Sequence, residues 1–269
     1  MAEDIRVESW TELHEALYVA GRSPLARYRS TLAYRGAADT RWTLETSLYR
    51  LAGPGAGRIE GPMLRAFRKY APPGAIPGAS IWLTLTVAQH HHLPTRLLDW
   101  TLSPRIALHF ATANAELYDR DAAIWCVDLV RVRERLPAPL REILEREDAL
   151  LFSAEMLETF GSLAELDRLG PASSFVLFFE PPSLDLRIAS QSAVLSVMPG
   201  AASVVQELLL QAPDLWHRVI IPAALKWEVR DKLDQDNVTE RILFPGLDGL
   251  GQWLKRYYGP GPGNGRGEP

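Results

Sequence analysis

Apolar residues recur along this chain at two spacings, and the spacings separate helices from strands. Met63, Ala66, Phe67 and Tyr70 fall three and four residues apart, which predicts a helix from Pro62 to Tyr70. Ile106, Ala107, Phe110 and Ala111 repeat the pattern and predict a helix over Pro104–Ala115 with those four on its core face. Ser103 stands directly before Pro104, the preferred order for a cap and a first helical residue. Ser9 followed by Glu12 reads as a capping box opening a helix over Trp10–Ala20, which Gly21 ends. Further helices are expected over Val204–Leu210, Ala223–Asp234 and Leu247–Tyr257.

Short apolar runs bounded by turn residues predict strands at Ser30–Tyr34, Thr95–Trp100, Ala122–Leu129, Ser174–Phe179, His217–Ile221 and Arg241–Phe244. Leu186–Val197 reads as a pair of short strands or one bent strand, and a second extended piece should end near Tyr49-Arg50. Leu51–Gly61, rich in Gly and Pro, reads as a mobile loop, and Ala71–Ala79 as an irregular connection. Residues 131–170 read as two helices, with an inserted helical cap as one reading of the block. Residues 259–269 have nothing to bury and are expected to be a disordered tail behind a single domain over residues 1–258. Strands and helices interleave irregularly, without a Gly-rich dinucleotide fingerprint, so the expected class is α+β with a small mixed or antiparallel sheet flanked by helices.

Composition narrows the function classes. An apolar content of 47% across 269 residues supplies a full core, and a net charge of −4 gives no global attraction to nucleic acid or an anionic membrane. No window approaches the run of apolar residues that a spanning helix needs. Cys126 is the only cysteine, so there is no disulfide framework and no cysteine-rich metal site, and it reads as an inert thiol in a buried strand. The acidic, amphipathic N-terminus is unlike a signal peptide, and a cytoplasmic protein is expected.

The chemistry concentrates in residues 86–113. Three histidines, a turn proline, Arg96, Asp99, Arg105 and His109 are embedded there among Leu97, Leu98, Trp100, Leu108 and Phe110. Polar groups in such a stretch either pair with one another or line a cleft. His90, His91 and His92 cannot converge on one ion, because consecutive helical side chains diverge by about 100°. A metal is therefore not expected, and a histidine at the helix end would face the cleft as acid, base or phosphate donor. A Ser-His-Asp hydrolase drawn from Ser103 and Asp99 lacks the G-x-S-x-G elbow around its serine.

Three motifs together resemble the FRG domain family: Tyr34-Arg35-Gly36, the string from Ala88 to Thr101 (AQHHHLPTRLLDWT), and Leu243–Leu250 (LFPGLDGL). Tyr34-Arg35-Gly36 and Trp100–Ser103 followed by Ala107–Ala111 are also similar, in order and spacing, to two motifs of the Arg-Ser-Glu class of ADP-ribosyltransferases. That second resemblance implies a split sheet, NAD as substrate, and Arg35 as the phosphate clamp, with Tyr34, Gly36, His92 and Phe110 beside the cofactor. Thr101 or Ser103 would hold the ribose and nicotinamide end, and Arg96 and Asp99 would complete the cleft. The third motif of that class aligns on Gln191–Leu195, where Gln191 matches and Ala193 stands in place of the glutamate. Asp99, Glu228 or Glu240 would then have to supply the carboxylate.

The implied activity is transfer of ADP-ribose from NAD to a macromolecular acceptor, protein or nucleic acid, or hydrolysis of NAD. A toxin or anti-phage context follows from the resemblance alone, with an antitoxin or another regulatory protein as partner. Two other readings stand beside it. A non-catalytic module could keep the cleft to recognise a nucleotide or nucleic acid. A purely structural domain would bind Arg35, Arg96 and Asp99 into one closed network with no adjoining cavity.

Overall fold

Local chemistry sets where the elements begin. Ser9 caps the first helix by accepting from the Glu12 N–H, while Glu12 reaches back to the Glu8 N–H at 2.8 Å. Asp128 turns the longest strand into a helix by accepting from Val130 and Arg131. The computed structural model describes residues 4–18, 27–76, 78–183 and 185–259. Ala20, Gly21 and the 260–269 tail, about which the sequence carries expectations, lie outside them.

The strands are β1 (Asp4–Arg6), β2 (Leu32–Ala37), β3 (Leu98–Thr101), β4 (Ala122–Asp128), β5 (Phe152–Ser153), β6 (Leu177–Glu180), β7 (Ala193–Val197) and β8 (Trp216–Ile221). The first seven helices are α1 (Trp10–Leu17), α2 (Ser47–Ala52), α3 (Ala56–Tyr70), α4 (Ile81–His90), α5 (Pro104–Thr112), α6 (Leu129–Glu134) and α7 (Ala138–Arg146). There follow α8 (Leu163–Asp167), α9 (Leu186–Ser190), α10 (Val205–Gln211), α11 (Lys226–Gln235), α12 (Glu240–Leu243) and α13 (Leu247–Tyr257).

The fold is α+β. One mixed sheet of eight strands runs in the order β1-β8-β4-β2-β3-β7-β6-β5, parallel at its two outermost pairs and antiparallel between. Helices flank it. α1, α5 and α11 bury Leu13, Leu17, Ala107, Ala111 and Val229 against β2, β4 and β8, and α4 packs with the β6–β7 side through Trp82 and Leu85. The 131–170 block adds Leu140, Leu144 and Phe152 to that second core and supplies the edge strand β5.

The sheet is weakest at its middle. β2 and β4 share six register pairs, whereas β2 and β3 share one, Tyr34 with Thr101. Beyond it, Arg35–Ala37 pair with β4 alone and Leu98–Trp100 with β7 alone. The Asp99 carbonyl, which a continued ladder would offer to β2, accepts instead from the Arg35 guanidinium.

Five elements differ from the sequence expectation. The extended piece expected to end near Tyr49-Arg50 is instead the helix α2, because the Thr46 hydroxyl caps it by accepting from the Tyr49 N–H at 3.1 Å. Leu51–Gly61 is helical: Ala56, Glu60 and Leu64 fall on one buried face of α3, and tertiary burial outweighs the weak helix preference of its glycines. Leu186–Ser190 is a helix because the Asp185 carboxylate caps it, accepting from the Ile188 N–H at 3.1 Å. Residues 240–243 form α12, whose Leu243 N–H bonds the carbonyl of Thr239. Phe110 does not join the core face of α5 but is 36% exposed.

Candidate functional site

Tyr34, Arg35 and Gly36 take three different directions. Tyr34 is buried, and its hydroxyl donates to the Leu17 carbonyl at 3.0 Å; burial pushes its pKa up to about 12. Gly36 sits where α5 lies closest to β2, with no room for a Cβ against the Ala107 carbonyl. Arg35 is left to enter the break between the half-sheets.

A cavity of about 470 Å³ lies at that break. β2 and β3 contribute Tyr34, Arg35, Gly36, Asp99, Trp100 and Thr101. α4 and its end contribute Thr86, Gln89, His90 and His92, while α5 contributes Phe110. Arg187, Ile188 and Gln191 come from α9 and its cap, Trp42 and Arg50 from the segment after β2, and Ala193 and Leu195 from β7. The volume is that of a small-molecule pocket, and Asp99 is its one carboxylate among the lining residues.

The charges are unbalanced. Arg35, Arg50 and Arg187 line the cavity and none forms an ion pair among the described residues. Arg35 donates to the Asp99 carbonyl, Arg50 to the Glu45 carbonyl at 2.6 Å, and Arg187 lies 5.0 Å over the Phe244 ring. Burial lowers the Arg35 pKa, Asp99 raises it again, and the neighbouring Arg50 adds to the fall. An anion between these guanidinia would relieve that repulsion.

The rest of the lining is held in place. Asp99 Oδ2 accepts from Gln89 Nε2 at 3.0 Å, and Gln89 Oε1 accepts from Thr95. Gln191 Nε2 donates to the Leu243 carbonyl at 2.9 Å, which ties the LFPGLDGL segment to the pocket wall. Thr101 Oγ1 donates to the Gln191 carbonyl at 2.8 Å and accepts from the Ser103 N–H, so its hydroxyl is already engaged. His90 Nε2 lies 2.5 Å from Asp185; burial holds its pKa below the ordinary value against the pull of that carboxylate.

His92 ends α4 in the left-handed conformation, φ 63°, with its N–H on the Gln89 carbonyl and the Leu93 N–H on Ala88. This is the Schellman arrangement, whose strained position usually holds glycine. His92→Gly should therefore raise stability by about 0.5–1 kcal/mol while weakening ligand binding, because the imidazole at the rim is lost. Urea unfolding beside a ligand titration checks it; lower stability in the variant contradicts the account.

Two expected site residues lie elsewhere. Ser103 occupies the cap of α5 outside the cavity lining, and its hydroxyl bonds no helix N–H. Arg96 is buried behind the pocket, clamped by Glu60 and Asp167. Glu228 pairs with Lys232, and Glu240 with Arg256, so neither carboxylate reaches the cavity. His109 is fully buried; its Nδ1 is 2.8 Å from the Arg230 guanidinium, and burial lowers its pKa to about 3, which keeps it neutral. Sequence reasoning missed Arg50, Arg187, Gln89 and Trp42. Asp185 three residues before Ile188 was a readable cap signal that would have placed Arg187; for the exposed Trp42 the sequence carried none.

No group of His, Cys, Asp and Glu among the described residues is arranged to hold a metal, and no described helix is long and apolar enough to cross a membrane.

The fold and site thus define an α+β protein whose mixed sheet breaks around a basic, small-molecule-sized cavity. Residues 30–120 match the family model described as the FRG domain. The matched segment contains Tyr34-Arg35-Gly36 and the Ala88–Thr101 string, while Gln191 and the LFPGLDGL segment lie beyond it. No curated protein and no solved structure matches the chain.

Proposed function

We propose that the cavity binds NAD and that the protein breaks the bond between nicotinamide and ribose, passing ADP-ribose to a macromolecular acceptor or to water. The observation that carries this reading is the set of three guanidinia, Arg35, Arg50 and Arg187, around one cavity, none in an ion pair among the described residues. Arginine's planar fork suits a diphosphate, and the break in the sheet gives Arg35 access to it.

Asp99, the carboxylate of the cavity lining, supports this chemistry. Thr101 pairs with Ala193 and Asp99 with Leu195, so Asp99 lies diagonally across from the alanine that stands where a glutamate is expected. The bond to nicotinamide breaks with its electron pair returning to the ring nitrogen, and positive charge builds on the ribose. A fixed carboxylate stabilises that charge. The acceptor, or water, then forms the new bond to the ribose carbon and gives up its proton. Gln89 holds one Asp99 oxygen and leaves the other for the ribose.

Incubation with NAD and cell extract, followed by mass spectrometry, should detect released nicotinamide and ADP-ribosylated product. Arg35→Ala is expected to reduce release about 100-fold or more through lost binding. Asp99→Asn should lower turnover about 100-fold while leaving ADP-ribose affinity within about threefold. Unchanged rates in both variants would end the proposal. Ala193 favours a second reading, a non-catalytic nucleotide-binding module, and tight ADP-ribose binding without nicotinamide release would select it.

A further inference from the structure

The LFPGLDGL segment is not part of the cavity lining, yet two of its residues hold three side chains that are. Leu243 offers its carbonyl to Gln191 Nε2 at 2.9 Å. The half-buried Phe244 ring faces the Arg187 guanidinium, with Cζ 5.0 Å from the ring centroid, and meets Phe110 edge to face at 6.3 Å. Gln191, Arg187 and Phe110 all line the cavity.

The ring is itself fixed. The Phe244 N–H donates to the Glu240 carbonyl at 2.8 Å, and His109, held by Arg230, lies 6.2 Å from the same ring. Gly249 of α13 comes so close that a Cβ there would stand 2.0 Å from the Phe244 carbonyl oxygen. Arg256 ties α13 back to Glu240 and to Asp234 on α11.

An aromatic face attracts a guanidinium through its quadrupole and takes up none of the donors along the fork's edge. A carboxylate in the same place would also orient the fork, but it would neutralise the charge and occupy those donors. Among the described residues the Arg187 guanidinium has no ion pair and donates to no protein acceptor. Resting on the NAD reading of this pocket, we infer that Phe244 is a positioning residue for the diphosphate: its ring fixes the Arg187 guanidinium at the cavity wall and leaves the N–H donors to the ligand's phosphates.

The test is calorimetric titration of the full chain with ADP-ribose and with inorganic pyrophosphate, over a double-mutant cycle of Phe244→Leu and Arg187→Ala. Phe244→Leu keeps an apolar side chain but removes the π face, and should weaken both ligands about three- to fivefold. Phe244→Tyr keeps the face and should bind within about twofold of wild type. In the Arg187→Ala background Phe244→Leu should cost nothing further, a coupling that lost packing alone does not produce. Phe244→Met gives the same comparison should the leucine variant fail to fold. Equal weakening in both backgrounds would assign the effect to packing against Phe110, and unchanged affinity would leave Phe244 without a role at the site; either overturns the inference while the NAD reading stands. Wild type that binds pyrophosphate but not ADP-ribose overturns the NAD reading, and the pyrophosphate cycle then decides the role of Phe244. Wild type that binds neither overturns both.

Discussion

Gly36→Ala is expected to destabilise the protein by about 3 kcal/mol or more, a loss of roughly 6–12 °C in melting temperature for a chain of this size. A Cβ at this position would stand 2.0 Å from the Ala107 carbonyl oxygen and 2.7 Å from the Ala111 nitrogen. Both are backbone atoms, so no rotamer change relieves the clash, and Ala107→Gly would not rescue it. α5 would have to retreat from β2, and it is held from behind by α11, where Arg230 bonds His109. The glycine is needed for closeness, not for an unusual backbone angle. Because α5 also carries Phe110 at the cavity, the same displacement should weaken ligand binding. Thermal unfolding with a parallel ADP-ribose titration reads both effects. A variant within 1 kcal/mol of wild type would mean that α5 does not depend on this contact.

The elements that were legible in the sequence are those fixed by neighbouring residues. The cap at Ser9, the Ser103-Pro104 helix start, the apolar run of β4 and the periodicity of α13 each act within a turn or two of chain. The misread segments depend on distant partners. α3 begins at Ala56 because Glu60 meets Arg96, thirty-six residues away, and Ala56 packs beside Leu48. α12 forms where Glu240 meets Arg256. The site shows the same division. Arg35 and Arg96 both interrupt apolar stretches and look alike in sequence. Only the fold brings Glu60 and Asp167 to one of them and leaves the other on the Asp99 backbone carbonyl, with no ion pair among the described residues. Tyr34-Arg35-Gly36 lies on the cavity wall, since strand alternation at the break in the sheet sends its neighbours apart, but which residues complete the cavity from α2 and α9 was not readable from the motif.

Arg96→Ala should cost about 3–5 kcal/mol, because it strips the counter-charge from a buried carboxylate. Arg96 is 5% exposed; its Nε donates to Glu60 Oε1 at 2.7 Å and its Nη1 to Asp167 Oδ1 at 2.6 Å. Asp167 Oδ1 also accepts from the Gly200 N–H at 2.7 Å, so one guanidinium joins α3, the approach to β3, α8 and the turn after β7. Most of the penalty lies in the charge left behind. Arg96→Met combined with Glu60→Leu should therefore recover a large part of the stability that Arg96→Ala loses, with Asp167 still partly exposed to solvent. Arg96→Lys should fall between, since one ammonium cannot serve both carboxylates in the same geometry. Urea unfolding of the four proteins ranks them, and an Arg96→Ala loss under 1 kcal/mol would remove the cluster from any structural role. The pairing state of the two arginines also predicts opposite phenotypes. Under the proposed NAD reading, Arg96→Lys, which replaces no cavity-lining residue, should release nicotinamide at close to the wild-type rate once folded, whereas Arg35→Ala should keep its stability and lose that activity.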